Sequence, residues 1–310
     1  MTNPMFSRRQ ALIAGAALPF ASALMSVPAR ATAPLQGAAM PTFNRFALGG
    51  FEVTTLLAGT RTVEAPTDVF GLNADPAEFA AVSAAAFLPT DKSQFFFTPT
   101  LVNTGAELVL FDTGLSAEGM TAALAAAGIA PDQIDIVVIT HMHGDHIGGL
   151  MAGEAPTFAN ARYVTGSVEN NHWSGAANEN YDKMVRPLLD KVTFLDDGGS
   201  VASGITAMAA FGHSPGHMTY MLESNGAGLV ITADTANHYV WSLAHPDWEV
   251  KFDADKATAA AARRAVFGMI AADKLPFIGY HMPFPALGYV EANDTGFRYV
   301  PASYQMMLNG

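Results

Sequence analysis

Three histidines and an aspartate lie within residues 141–146 of this chain, in the segment Thr-His-Met-His-Gly-Asp-His that begins at residue 140. The segment directly follows an apolar run over residues 134–139. Imidazole and carboxylate groups together suit zinc and similar divalent ions. A loop at the end of a strand lets such side chains converge, whereas neighbours inside a strand point to opposite faces. The segment therefore predicts a metal site formed by His141, His143, Asp145 and His146.

Further ligands are expected where a histidine or an aspartate again follows a strand-like run. His217 lies in a tight turn, Gly-His-Ser-Pro-Gly-His, and Asp234 and His281 each end an apolar run. Together with the first four residues they provide enough donors for two metals that share one carboxylate. We predict that His213, in the same turn as His217, is a structural residue behind the ligands.

The absence of cysteine restricts the chemistry of this site. With no cysteine in the chain, disulfides, thiolate nucleophiles and thiolate metal ligands are excluded, so nitrogen and oxygen must hold the metals. Two metals about 3.5–4 Å apart generate a bridging hydroxide at neutral pH and polarise the oxygen of an electrophile. Asp145 or Asp234 is expected to take the nucleophile's proton and relay it to the leaving group. The predicted reaction is the hydrolysis of a carbonyl or phosphoryl compound.

Composition bounds the size of the fold and the class of partner. The chain has 310 residues, 50% of them hydrophobic, which suffices for the core of one large domain or two small ones. Its formal net charge of -12 argues against nucleic acid as a partner, because most of the surface repels phosphates. The expected partner is a small molecule.

Residues 1–33 are predicted to be an export signal. A pair of arginines at residues 8–9 precedes an apolar stretch over residues 11–25, and small residues at 29–33 form cleavage patterns. The arginine pair favours the twin-arginine route. The apolar stretch is shorter than the roughly twenty residues that span a bilayer. We therefore expect an exported, periplasmic protein without stable membrane insertion.

The order of elements in the remaining chain is strands, a helix, strands again and a second helix. This order indicates two sheets packed together with helices outside. Helices are predicted at 116–127 and 255–272, with others between 165 and 197, and strand-like runs at 51–57, 100–103, 107–112, 134–139, 205–210, 220–223, 229–234 and 276–281.

The combined pattern resembles the metallo-β-lactamase superfamily. It consists of His-x-His-x-Asp-His at 141–146, then a histidine, an aspartate and a histidine, with Asp112 upstream in Leu-Phe-Asp-Thr-Gly. The resemblance extends over roughly residues 43–304. It implies one α/β domain over residues 34–310, built as an αββα sandwich of two mixed sheets with helices on the outer faces. It also implies a homodimer.

The resemblance implies a role for each donor. Asp112 would orient a ligand histidine through a hydrogen bond. The ligands suit Zn2+, and Mn2+, Co2+ and Fe2+ are compatible with the same atoms. Two metals would be held, one by His141, His143 and His217 and the other by Asp145, His146 and His281, with Asp234 bridging them.

One branch of the superfamily fits better than the others. True metallo-β-lactamases have Cys or Ser in place of Asp234, and glyoxalase II has a helical C-terminal domain that this chain lacks. Segments that resemble methyl parathion hydrolase and its lactonase and aryl esterase relatives lie at 50–54, 101–105, 140–143, 212–220 and 296–301. This resemblance implies hydrolysis of lactones or aryl esters, with phosphotriester activity alongside. The alternatives are an organophosphate hydrolase as the main activity and a non-catalytic, metal-binding periplasmic protein.

An apolar pocket is expected beside the metals, as at most small-molecule sites. Trp173 matches a pocket tryptophan of methyl parathion hydrolase, and Phe96 is expected to help wall the pocket. Asn237 occupies the place of a tyrosine in acyl-homoserine lactonases and would offer an amide donor to a lactone carbonyl. Iron redox chemistry is disfavoured because the chain lacks a Gly-rich cofactor fingerprint.

Overall fold

Two seven-stranded sheets form the scaffold of the computed structural model, which describes Leu35 and residues 37–308. The predicted export signal lies outside the described residues. The chain divides into two units between Ala39 and Met40, and every strand and helix described belongs to the second. Within the described residues, no helix combines the length and the apolar character needed to cross a membrane.

The first sheet has the strand order β1-β2-β5-β6-β7-β10-β11, and the second runs in order from β12 to β18. Both sheets are mixed: β7 pairs in parallel with β6 and β10, and β15 pairs in parallel with β16. Two antiparallel strand pairs stand apart from the sheets: β8-β9 is a tight hairpin, and β3-β4 is a wide hairpin whose strands are joined by residues 65–91. The strands are β1 Phe43–Leu48, β2 Phe51–Leu56, β3 Gly59–Glu64, β4 Lys92–Phe97, β5 Thr100–Asn103, β6 Leu108–Phe111, β7 Ile136–Ile139, β8 Met151–Ala152, β9 Ala155–Pro156, β10 Arg162–Gly166, β11 Val192–Leu195, β12 Ser200–Ala202, β13 Ile205–Ala209, β14 Met218–Ser224, β15 Ala227–Ala233, β16 Phe277–Gly279, β17 Leu287–Ala292 and β18 Phe297–Pro301.

Six α-helices are described in this part of the chain. Four of them begin at side-chain caps, from Asp75, Ser116, Asn178 and Asp255, which accept hydrogen bonds from the first-turn N–H groups. The helices are α1 Pro76–Ala85, α2 Ala117–Ala126, α3 Gly144–Ile147, α4 Ser167–Gly175, α5 Glu179–Met184 and α6 Lys256–Asp273, and short 3-10 turns cover Pro66–Asp68, Pro131–Gln133, Arg186–Lys191 and Gln305–Met307.

Strand β7 shows how the sheets make a layered core. All four of its residues are buried, and their side chains alternate between two faces. Ile136 and Val138 belong to a hydrophobic cluster shared with the second sheet, whereas Val137 and Ile139 pack in a cluster that contains residues of α2. Because both faces are covered, the strand is a continuous apolar run in sequence.

A third hydrophobic cluster joins α1 to the β3-β4 hairpin. Phe79 of α1 stacks on Trp241, with ring centroids 5.1 Å apart, and Phe95 of β4 stacks on Phe70 at 5.7 Å. The hairpin is thereby fixed at one edge of the molecule, where it forms a wall of the site described below.

The predicted two-sheet architecture is confirmed. The hairpin of β5 and β6, the buried strand β7 and the helices α2 and α6 lie where the sequence predicts them, within two residues at each end. Helix α1 and the β3-β4 hairpin were not predicted. Helix α1 was missed because its sequence is rich in alanine and has almost no apolar periodicity.

Candidate metal centre

Asp112 anchors the loop that follows β7. It lies just past β6 with a left-handed φ of 61° and is buried. Its carboxylate accepts hydrogen bonds from the backbone N–H of Thr140 (2.9 Å), from the Thr140 hydroxyl (2.8 Å) and from Nδ1 of His146 (2.8 Å). Asp112 thus makes the histidine hydrogen bond that the resemblance implied. Nε2 of His146 is left facing the other donors.

His141, His143 and His213 form a first donor group. Nδ1 of His143 lies 3.0 Å from Nε2 of His141 and 3.0 Å from Nε2 of His213. These three nitrogen atoms are close enough to ligate one ion.

Asp145, His146 and His281 form a second donor group. Oδ2 of Asp145 lies 3.7 Å from Nε2 of His146 and 3.3 Å from Nε2 of His281. His281 donates its Nδ1–H to the backbone oxygen of Phe96 over 2.8 Å, so its Nε2 faces the group. This second group also satisfies the spacing of a metal site.

Asp234 lies between the two groups. Its Oδ2 is 3.3 Å from Nε2 of His213 and 3.2 Å from Nε2 of His281, and its Oδ1 is 3.3 Å from Nε2 of His146. The preceding residue, Ala233, has a left-handed φ of 44°, an unfavourable conformation for alanine that sets the direction of the chain at this point. A single carboxylate therefore contacts both groups.

The donor set fits divalent metal ions. Among the described residues, His146 Nε2 and Asp234 Oδ1 are buried without a hydrogen-bond partner. Buried polar atoms are nearly always satisfied, so two adjacent unpaired atoms in one cluster indicate a missing partner. Imidazole nitrogens and carboxylate oxygens are the ligands that zinc takes in the absence of cysteine.

The structure corrects the assignments of His217 and His213. Both ring nitrogens of His217 are occupied, since Nδ1 donates to the oxygen of Ala210 and Nε2 accepts from the N–H of Asp234, each over 3.1 Å. His217 therefore supports the bridging residue and has no lone pair free for a metal. His213 presents its Nε2 to the first donor group instead. Sequence order alone could not separate two histidines in the same turn.

Asp253 and Arg263 hold His213 in place. Nδ1 of His213 lies 2.9 Å from Oδ1 of Asp253, and the Arg263 guanidinium of helix α6 donates to Oδ2 of the same carboxylate over 2.7 and 3.1 Å. All three side chains are buried. A buried carboxylate needs such a counter-charge, and its hydrogen bond fixes the ring orientation of His213. Sequence reasoning missed this pair because it lies far along the chain from the motif.

Glu169 links the two loops that carry the first donor group. This fully buried side chain of α4 accepts from the backbone N–H of Met142 and of Gly216, each over 2.8 Å. It also accepts from the Ser214 hydroxyl at 2.5 and 2.6 Å and from Nε1 of Trp173 at 2.6 Å. Met142 lies between two donor histidines, and Ser214 follows the third. Glu169 therefore fixes the distance between these loops.

Carboxylates and histidines shift one another's pKa in this cluster. Burial alone lowers the pKa of a histidine, yet Asp234 and Asp145 raise the pKa of His281 to about 9. Burial alone raises the pKa of an aspartate, yet His146 and His281 lower the pKa of Asp145 to about 2. Burial lowers the pKa of His143 to about 3, helped by the neighbouring His213. Without metal, the second donor group therefore carries imidazolium facing carboxylate.

The cluster forms the floor of a cavity of about 380 Å³. Both donor groups and Asp234 contribute to the lining. The side of the cavity formed by the β3-β4 hairpin and two loops is mostly apolar, and it comprises Val63, Phe95, Phe97, Leu115 and Phe252, together with Arg61.

None of the three residues predicted for the pocket lines this cavity. Trp173 is absent from the cavity lining and donates to Glu169. Phe96 faces a neighbouring cavity with Trp241, because alternate residues of a strand point to opposite faces. Asn237 is buried, and its amide donates to Oδ2 of Asp234 over 2.9 Å. It therefore holds the Asp234 carboxylate and is not part of the cavity lining.

A family profile described as metallo-beta-lactamase superfamily matches residues 98–272, more than half of the chain. The chain belongs to this superfamily. Its membership agrees with the two mixed sheets and with the position of the donor residues at the ends of strands. The methyl parathion hydrolase group is not singled out by this match.

Two curated relatives illustrate the range of the superfamily. The chain is 31% identical over 133 residues to an atrochrysone carboxyl ACP thioesterase of Aspergillus fumigatus. The matched region covers 41% of the chain and 27% of the relative. It is 25% identical over 117 residues to an N-acyl homoserine lactonase of Bacillus cereus, covering 37% and 43%. The matched region thus spans less than half the length of these relatives.

Solved structures share the fold over most of the chain. AidC, described as a dizinc quorum-quenching lactonase, superposes with a TM-score of 0.79 at 24% identity, covering 85% of this chain and 98% of AidC. The hydrolase AbOPH of the beta lactamase superfamily gives a TM-score of 0.79 at 22% identity, covering 86% and 100%. At these identities the likeness establishes the fold.

Because His213 and His217 exchange their predicted roles, variants at the two positions are expected to differ in zinc content. The variant His213→Ala is expected to retain only one of two zinc ions, because it removes a donor atom. His217→Gln is expected to retain both, because it changes only a supporting side chain. Elemental analysis after gel filtration of zinc-loaded protein measures this difference. Loss of zinc from the His217 variant but not from the His213 variant would restore the assignment made from sequence.

Glu169→Gln is expected to weaken zinc binding by tenfold or more and to lower the free energy of unfolding by about 3 kcal/mol. The glutamine amide places a donor among groups that all donate. Competition with a chromophoric chelator measures the affinity, and urea denaturation measures the stability. Trp173→Phe is the matched control, because it removes one donor and leaves both loops attached. A folded Glu169→Gln protein with wild-type zinc affinity would contradict the linking role.

Zinc binding is expected to release protons. The folded pKa of His281 is about 9, above its ordinary value of 6.5, so the metal-free site holds a proton at neutral pH that a ligand histidine must lose. The same shift stabilises the metal-free fold fully below about pH 6.5, and that stabilisation disappears as the pH rises through about 9. Zinc affinity should therefore rise with pH. Calorimetric heats of binding that do not depend on the ionisation enthalpy of the buffer would show that no proton is released.

Proposed function

We propose that this protein is a dinuclear zinc hydrolase of lactones or aryl esters, with phosphotriester activity alongside. The observation that carries this proposal is the pair of donor groups joined by Asp234 at the floor of an apolar cavity. A binding module needs no such open cavity above its metal ligands, whereas a catalytic metal site keeps room for a substrate.

The residues present fit two metals. His213 completes the first group in place of His217, and Asp234 is positioned to serve both groups. Bound divalent cations supply an activated water at neutral pH and a Lewis acid for the substrate oxygen. The proposed ligand sets are His141, His143 and His213 for one ion and Asp145, His146 and His281 for the other.

The chain's own residues bind the substrate and move the proton. Phe95, Phe97 and Phe252 present apolar surface to an acyl or aryl group and keep water away from it. Asp145 lines the cavity with its side chain 23% exposed, whereas the Asp234 side chain is 3% exposed. Because His146 and His281 lower its pKa, Asp145 is ionised at neutral pH, and its exposure to the cavity makes it the better placed carboxylate to accept a proton.

Similarity to lactonases supports the choice of substrate class. N-acyl homoserine lactonases occur among the curated relatives, and AidC is described as a dizinc lactonase. Lactones and aryl esters share a carbonyl carbon that water attacks, and a phosphotriester presents a comparable oxygen to the same metals.

We further propose that the protein is exported to the periplasm and forms a homodimer. The arginine pair and apolar stretch at the N-terminus support export by the twin-arginine route to the periplasm. The homodimer implied by the resemblance remains a prediction, which analytical ultracentrifugation of the mature protein would test.

A turnover screen tests the proposed reaction. Zinc-loaded protein is expected to hydrolyse p-nitrophenyl acetate, dihydrocoumarin and, more slowly, paraoxon. His143→Ala should lower kcat/KM for each by about two orders of magnitude, because a ligand nitrogen is removed. His172→Ala, which removes an exposed histidine outside the donor groups, is the control. Tight zinc binding with negligible turnover of all three compounds would favour the non-catalytic alternative.

A further inference from the structure

Arg61 differs from the other arginines that the structure describes. Six arginines each lie within 4 Å of a carboxylate: Arg45, Arg162, Arg186, Arg263, Arg264 and Arg298. The side chain of Arg61 has neither an ion pair nor a hydrogen bond among the described residues. Its guanidinium lies over the ring of Phe97, with 5.8 Å between the guanidinium carbon and the ring centroid. Carboxylates are abundant in a chain with a net charge of -12, so an arginine that forms no ion pair with one is unusual.

The hairpin directs Arg61 into the cavity above the donor groups. Arg61 of β3 stands opposite Phe95 of β4 in the antiparallel pairing, and Gly59 stands opposite Phe97. Alternate residues of a strand share a face, so Arg61 and Val63 lie on the same side as the two phenylalanines. All four side chains line the cavity.

The contact with Phe97 orients the guanidinium without neutralising it. A cation over an aromatic face is attracted by the electrons of the ring, and the N–H groups at the edge of the guanidinium stay free to donate. The planar guanidinium can donate two parallel hydrogen bonds to a carboxylate. A purely apolar substrate would offer the positively charged guanidinium neither a counter-charge nor a hydrogen-bond acceptor.

We propose that Arg61 binds a carboxylate on the substrate, so that the preferred substrate is an ester or lactone whose acyl chain ends in a carboxylate. This inference rests on the proposed hydrolase function and narrows its substrate class. The acyl chain lies along Phe95 and Phe97, with the scissile carbonyl at the donor groups and the terminal carboxylate at Arg61. Arg61 thus determines specificity and takes no part in bond breaking.

Matched ester pairs test the proposal. Mono-p-nitrophenyl adipate and suberate carry a terminal carboxylate, and p-nitrophenyl hexanoate and octanoate have the same numbers of carbons without it. Wild-type protein is expected to prefer the charged member of at least one pair, and Arg61→Ala should lower kcat/KM for that member about fivefold to tenfold. Turnover of the neutral member should stay within twofold of wild type. Arg298→Ala, which removes a distant surface arginine of the same charge, should change neither.

Binding separates this proposal from the proposed function. Calorimetric titration of the zinc-loaded proteins with adipate and suberate should show at least one dicarboxylate binding about fivefold to tenfold more weakly to Arg61→Ala than to wild type. The uncharged hexanamide and octanamide should bind equally to both proteins. Arg61→Lys should keep part of the difference, since it retains the charge but not the paired donors. If no ester is hydrolysed but the binding difference appears, the carboxylate site stands and the reaction is wrong. Equal binding of both dicarboxylates to wild type and Arg61→Ala would overturn the carboxylate site.

Discussion

The crowding of imidazole nitrogens and carboxylate oxygens into one largely buried cluster is the constraint on which the rest of this structure depends. Gathering such atoms in an apolar interior is unfavourable unless the protein holds them rigidly. Three buried carboxylates do so from separate segments: Asp112 holds the loop after β7, Glu169 links the two loops of the first donor group, and Asp253 fixes His213. None of the three belongs to a donor group, yet together they set the direction of the donor nitrogens.

Each histidine ring is likewise oriented by a hydrogen bond to the surrounding protein. His146, His213 and His281 each use Nδ1 in a hydrogen bond to the protein, which leaves Nε2 free toward the cluster. His217 uses both nitrogens and therefore stands outside it. The tautomer and the free lone pair are thus decided by the partner behind the ring and not by its distance from the centre.

The apolar wall of the cavity and the candidate metal donors come from different parts of the fold. The two sheets deliver the donors at strand ends, whereas the β3-β4 hairpin, held by the third hydrophobic cluster, supplies Phe95, Phe97 and Arg61. In such an arrangement the residues of the cavity wall can vary while the sheets keep the donor atoms in place.

Local patterns in the sequence were enough to predict the two-sheet fold and most of the donor set. A run of four ligand-type residues after an apolar strand is informative because strand ends and loop geometry are local properties. The folded structure was needed to distinguish His213 from His217, because their roles depend on hydrogen bonds to Asp253 and Ala210. It likewise removed Phe96 from the cavity and added Arg61, since the face of a hairpin residue depends on what the hairpin packs against.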